Sequence, residues 1–192
     1  MKYINQNDYP DMRYGTNASH PESNSFINGT VASSGCGLCC LCMTVDQLTL
    51  DSLELEEIRD LAIETGANHK VGTDMKILGP IVAERYGLQF RTTNSEQGMI
   101  AWILNGGVAI INVGGDYEGH IGAFCDVGHY ILAIAYQDGL FRILDPAYRP
   151  GKYDIAGRKG KITDKKGILY TSAAVLHEDT ENRRPRYYLF NN

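Results

Sequence analysis

Apolar positions recur at helical spacing in the first half of the chain and run as strands in the second. Residues 36–48 are almost all apolar or small, which predicts a helix buried on most sides. Asp51 and Glu54 have capping-box spacing, with Leu50 and Leu55 placed as a hydrophobic staple. The stripe Leu55, Ile58, Leu61, Ala62 then predicts a second helix, stopped by Gly66. A third helix fits 74–86, with Ile77, Ile81, Val82 and Tyr86 inward, Pro80 in its interior and Gly87 as its stop. A fourth fits 95–105, carrying Met99, Ile100, Ile103 and Leu104, with Trp102 in the core or at its edge. The period changes at 108–113, a β-branched run that predicts a buried strand. A glycine-rich loop from Gly114 to Gly128 follows, and Gly114–Gly119 reads equally as a substrate flap or a surface loop. Further strands are expected at 129–136, 140–145, 168–176 and 187–190.

Helices first and antiparallel strands afterwards imply an α+β fold, with an N-terminal helical part packed on a C-terminal sheet. The 192 residues read as a single domain. Within it, 1–35 forms an irregular N-terminal arm and 147–192 a strand-rich extension. A net charge of -5 argues against nucleic acid as partner, and the short cluster Arg183-Arg184-Pro185-Arg186 reads as a solvated turn. No apolar stretch is long enough to span a membrane, so none is expected as partner. The N-terminus lacks the apolar core of a signal peptide and points to the cytoplasm. The five cysteines, four of them between 36 and 42, do not form a spaced disulfide framework. Nothing calls for a cofactor, and oligomeric state is left open.

Cys36 stands apart from the other cysteines. It lies between Gly35 and Gly37 at the start of the apolar helix, where unpaired N–H groups and the helix dipole favour a thiolate. The two glycines are expected to allow a sharp turn and to leave room for substrate. His129 begins a strand and Asp145-Pro146 ends the next, so thiol, imidazole and carboxylate occur in the order of a nucleophilic cysteine site. If Gln137-Asp138-Gly139 is a three-residue connection, Tyr136 pairs with Leu140 and Ile131 faces Asp145. His129 is then the diagonal neighbour of Asp145 on one sheet face, within bridging reach. Cys36 would be nucleophile and His129 its base, with Asp145 fixing the ring. Asp145→Asn is expected to lower the rate and leave the fold intact. The N–H of Cys36 would be one oxyanion donor, and a side-chain amide should supply the other.

These residues resemble those of the C39-like cysteine peptidases of the papain-like superfamily. The resemblance runs from Gln6 to Pro146. It rests on Asn5-Gln6-Asn7-Asp8-Tyr9-Pro10, Tyr14-Gly15, Gly35-Cys36-Gly37 with Met43, Gly128-His129-Tyr130 and Asp145-Pro146. It implies a papain-like fold with a cleft between a helical and a sheet part, a peptide or protein substrate, and Gln6 as the second oxyanion donor. Asn5 or Asn7 could serve in place of Gln6 after a small register shift. Leu38-Cys39-Cys40 departs from the family, which has Pro-Thr or Pro-Ala after Cys-Gly.

Two alternatives stand beside hydrolysis of peptides. The same residues could transfer an acyl group or cleave a non-peptide amide. Cys36-Gly37-Leu38-Cys39 is also a Cys-x-x-Cys, and Cys36, Cys39 and Cys40 would share a helix face for redox or soft-metal chemistry. Otherwise Cys39, Cys40, Cys42 and Cys125 read as packing residues. His120 has no carboxylate partner apparent in sequence and reads as a bystander at the cleft rim.

Overall fold

The computed structural model describes residues 2–16 and 28–192. The predicted arm extends over 17–27, which lie outside the described residues. Among the described residues six helices run in chain order: α1 (Val31–Ser34), α2 (Cys36–Leu48), α3 (Leu55–Glu64), α4 (Met75–Arg85), α5 (Glu96–Leu104) and α6 (Ala173–Asp179). The strands are β1 (Gln89–Thr93), β2 (Val108–Val113), β3 (His129–Gln137), β4 (Leu140–Leu144), β5 (Ile162–Lys165), β6 (Ile168–Ser172) and β7 (Tyr187–Asn191). All seven form one antiparallel sheet in the order β1-β7-β2-β3-β4-β6-β5. Mixed helices on such a sheet make the fold α+β.

Residues from both faces of the sheet are buried, which explains why β2 reads as a continuous apolar run. Val108 and Ile110 join the cluster built on α2, α3 and α4. Ala109, Ile111 and Val113 join the cluster holding Met99, Ile103, Phe124, Tyr153 and Leu176. Residues 147–192 are therefore integral to the sheet and its second core, since β7 pairs with both β1 and β2.

Several local expectations shift. Helix α3 starts later than its capping-box signal: Glu54 is its N-cap, and Leu53 inserts into the core ahead of it. Leu50 is fully exposed, so no staple forms. In α4, Asp74 caps the N-terminus by accepting from Lys76 N at 3.1 Å. The buried face carries Met75, Leu78 and Val82, while Ile77 is exposed. Leu104 of α5 is also exposed. The expected strand 168–176 stops at Ser172, whose hydroxyl accepts from Val175 N and caps α6. Strands β1 and β5 were not anticipated. Both are short, polar strands at the two edges of the sheet, where apolar alternation is not required.

The β3–β4 hairpin reaches the anticipated register by another route. Its turn has two residues, Asp138 and Gly139 at φ 53° and 79°, so Gln137 rather than Tyr136 pairs with Leu140. A β-bulge between Ala133 and Ala135 then shifts the ladder by one, giving Leu132↔Leu144. One step further, Ile131 stands opposite Asp145.

Candidate active site

Cys36 is the first residue of α2, with Gly35 as N-cap. The flanking glycines are needed for close packing against protein rather than for unusual backbone. A Cβ on Gly35 would lie 2.5 Å from Val31 Cγ1, and one on Gly37 would lie 2.8 Å from Thr73 Cβ. Neither residue has positive φ. Helix α2 is thus seated tightly against β3 and β2, with Cys36 9% exposed at the floor of a cleft.

His129 opens β3, and its Nε2 lies 2.7 Å from Asp145 Oδ1. That leaves Nδ1 for the thiol of Cys36, which lies within hydrogen-bonding reach of the ring. Asp145 is wholly buried and collects four donors. Oδ1 takes His129 and, at 2.8 Å, the backbone N–H of Ala147. Oδ2 takes the Lys152 ammonium at 2.5 Å and the Tyr153 hydroxyl.

The electrostatics follow from these contacts. Burial opposes ionisation of Cys36, yet the His129 charge and hydrogen bond, with the N–H groups of Tyr130 and Gly37, hold it below the ordinary thiol value. Burial also opposes the charged form of His129. Asp145 and Cys36 overcome that opposition and raise the imidazole to about 9. Burial of Asp145 is likewise overcome, by His129 and then Lys152, and the carboxyl is held well below its usual range. The other thiols move the opposite way. Burial raises Cys39 and Cys40 far above normal and pushes Cys42 and Cys125 to about 12. A soft metal needs thiolates, and these sites disfavour them. Among the described residues no group of three or more His, Cys, Asp or Glu is arranged to hold a metal ion.

Gln6 reaches the cleft because the N-terminal arm is tied to the Asp145-Pro146 segment. Gln6 N donates to Pro146 O at 2.7 Å, Tyr3 Oη to Asp145 O at 2.6 Å and Asn5 Nδ2 to Tyr148 O at 2.8 Å. Gln6 Nε2 donates one hydrogen to Ala32 O at 2.7 Å and keeps its second, while Oε1 is buried without a partner. Asn5 instead caps the short 3-10 turn Gln6–Asp8, and Asn7 is exposed and bonded to Asn5. Gln6, Cys36 and His129 line one cleft of about 290 Å³, together with Ser33, Ser34, Val71, Gly72, Asn112, Val127, Gly128, Tyr130 and Arg183.

Three features escaped the sequence. Lys152 and Tyr153 carry no motif: they reach Asp145 through a turn in which Tyr148 N bonds Asp145 O at 3.1 Å. His120 does have a carboxylate partner, Asp179 Oδ1 at 2.8 Å, which also accepts from Ala123 N. With Arg158 Nε on Gly122 O at 2.8 Å, this pair pins the 114–128 loop to α6 and the 150s segment. The loop is therefore tied down and does not hang free as a flap. Arg183, expected in a solvated turn, is half-buried in the cleft wall.

No protein-family model matches the chain, and no curated protein matches its sequence. A solved structure does match: the crystal structure of a "putative C39-like peptidase" from Bacillus anthracis, with a TM-score of 0.55 and 8% identity. The match covers 99% of this chain and 97% of that one. The two chains share a fold. At such identity the likeness carries the arrangement of helices and antiparallel sheet, and the chemistry has to be argued from the residues in the cleft. Among the described residues no helix is long and apolar enough to cross a membrane.

Proposed function

We propose that this chain is a papain-like cysteine peptidase that hydrolyses peptide bonds through Cys36, His129 and Asp145. The observation that carries this reading is the buried 2.7 Å contact from His129 Nε2 to Asp145, which turns Nδ1 toward a thiol at a helix N-terminus in an open cleft. The fold shared with the Bacillus anthracis protein supports it at a coarser level.

In this mechanism the Cys36 thiolate attacks the scissile carbonyl carbon, and the carbonyl electron pair moves to oxygen. The Cys36 N–H and the free hydrogen of Gln6 Nε2 stabilise that oxyanion. His129 then gives its Nδ1 proton to the leaving amine, and a thioester to Cys36 remains. Water attacks the thioester, His129 takes its proton, and thiolate and acid are released. Asp145 stays ionised throughout, fixing the ring and favouring the imidazolium.

The test is a peptide library incubated with the wild type and Cys36→Ala, with products read by mass spectrometry and an amine added to half the samples. Peptides cut at internal bonds by the wild type alone are expected. Amine adducts would make the enzyme an acyltransferase, and cleavage that survives Cys36→Ala would overturn the assignment.

A further inference from the structure

The cleft wall beside His129 holds a cation that the hydrolytic mechanism does not use. Arg183 lies on the segment between α6 and β7, with its N–H bonded to Thr180 O at 3.0 Å. Its Nη2 donates to Gly114 O at 3.1 Å, and its Nε is buried with no partner. The guanidinium lies over Gly128, where an added Cβ would sit 2.4 Å from Nη2. Glycine at 128 thus lets an arginine pack against the residue that precedes the catalytic histidine. Gly114 is shaped in the same way, since a Cβ there would collide with Asn182 Oδ1 at 1.8 Å. Both ends of the loop are cut back to admit the 182–183 segment.

The arginine brought in at this cost in space has no counter-charge among the described residues. None of the ion pairs among the described residues includes Arg183. Among the described residues no acidic side chain lines the cleft, and Arg183 and His129 are the only basic ones that do. The His129 charge is already matched by Asp145 and the thiolate, so among the described residues the guanidinium is the one uncompensated charge facing substrate. Its Nη1 makes no hydrogen bond to the described residues. A half-buried guanidinium with free N–H donors is the usual partner of a carboxylate. Val71 and Val127, both exposed at the same cleft, add apolar contact for the neighbouring parts of a peptide.

We infer that Arg183 is a specificity determinant that binds a carboxylate of the substrate close to the scissile bond, so that the enzyme selects peptides with an acidic residue there. This deepens the peptidase reading and rests on it. The carboxylate binds through charge-assisted hydrogen bonds to Nη1 without any covalent change.

The experiment uses capped, otherwise neutral peptides of Ala, Ser and Leu bearing one Glu, or one Gln of the same shape, at each position in turn. Hydrolysis by the wild type, Arg183→Gln and Arg183→Lys gives a Glu-to-Gln ratio of kcat/KM at every position. Binding of the same peptides to Cys36→Ala and to Cys36→Ala/Arg183→Gln, followed by fluorescence anisotropy, reads recognition without chemistry. Expected is a preference for Glu of roughly tenfold or more at one position, falling to about threefold or less in Arg183→Gln and partly kept in Arg183→Lys. An arginine that only braces the loop would change Glu and Gln peptides together and leave the ratio untouched, which overturns the inference. A wild-type ratio near one at every position, or a preference that survives Arg183→Gln, does the same. If nothing is cleaved, the peptidase reading falls, and the anisotropy decides the carboxylate site: Glu-selective binding lost with Arg183 upholds it, and its absence ends it.

Discussion

Asp145→Asn replaces a wholly buried carboxylate that takes donors from His129, Ala147, Lys152 and Tyr153 with a neutral amide. Read from the sequence, where Lys152 is invisible, the change should spare the fold. The structure predicts otherwise. The Lys152 side chain is 7% exposed, and its remaining partner would be Ala147 O at 3.2 Å. Stranding one partner of a buried ion pair costs about 3–5 kcal/mol. For a chain of this size that lowers the melting temperature by roughly 6–20 °C. Burial would then dominate His129 and lower its pKa from about 9, leaving the thiolate without its counter-ion. The assay is a double-mutant cycle of wild type, Asp145→Asn, Lys152→Met and the double variant, each measured by urea denaturation and by iodoacetamide alkylation at pH 6. The double variant should recover at least about 2 kcal/mol relative to additivity, because no unpaired charge is left buried. Its alkylation should remain as slow as that of Asp145→Asn. An Asp145→Asn protein within about 1 kcal/mol of wild type, or strictly additive losses, would refute the buried-pair account.

Four further outcomes are expected. Iodoacetamide at neutral pH should label Cys36 ahead of Cys39, Cys40, Cys42 and Cys125, since only Cys36 is shifted toward thiolate; peptide mapping that finds equal labelling would contradict this. Hydrolysis should rise with pH as Cys36 ionises and fall through about 9 as His129 loses its proton. The stability linked to His129, whose folded pKa is raised, is complete below pH about 6.5 and disappears as pH rises through about 9, which denaturation from pH 6 to 10 will measure. Gly37→Ala should cost about 1–3 kcal/mol and reduce the alkylation rate of Cys36, because its methyl meets Thr73 Cβ at 2.8 Å and Tyr130 Cδ2 at 3.2 Å.

What was legible in the sequence is what depends on local pattern. Helix α2 begins and ends at the predicted residues because an almost wholly apolar run has one way to be buried. Strand β2 was legible for the same reason. Most of the misses share one cause: the deciding contacts leave no periodic trace in the sequence. Leu53 is taken into the core ahead of α3, and β1 and β5 are held by strand pairing without an apolar signature. Lys152 meets Asp145, and Arg183 meets Gly128, through turns that carry no periodicity. The glycines beside Cys36 were rightly singled out, although their reason is packing against Val31 and Thr73.

The meeting of His129 and Asp145 shows how a correct expectation can rest on the wrong local structure. A three-residue connection and a two-residue turn differ by one in register, and one residue moves a side chain to the other face. With the observed turn and a regular ladder, Asp145 would face Leu132 and turn away from His129. The extra residue at the bulge restores the parity, so turn and bulge together set Leu132 opposite Leu144 and bring Asp145, the next residue, to His129. The bulge lies among Ala133, Ile134 and Ala135, small or β-branched residues in a strand that itself contains no glycine. Nothing in their identity announces it. What favours it is the destination: an unbulged ladder would place a carboxylate among the apolar groups beside Leu132, take from Lys152 its counter-charge and leave the Tyr153 hydroxyl without its acceptor. Burying unpaired polar groups costs several kcal/mol in total, more than a local break in a ladder. The residues after Asp145 thus help select the register that brings the carboxylate to the imidazole.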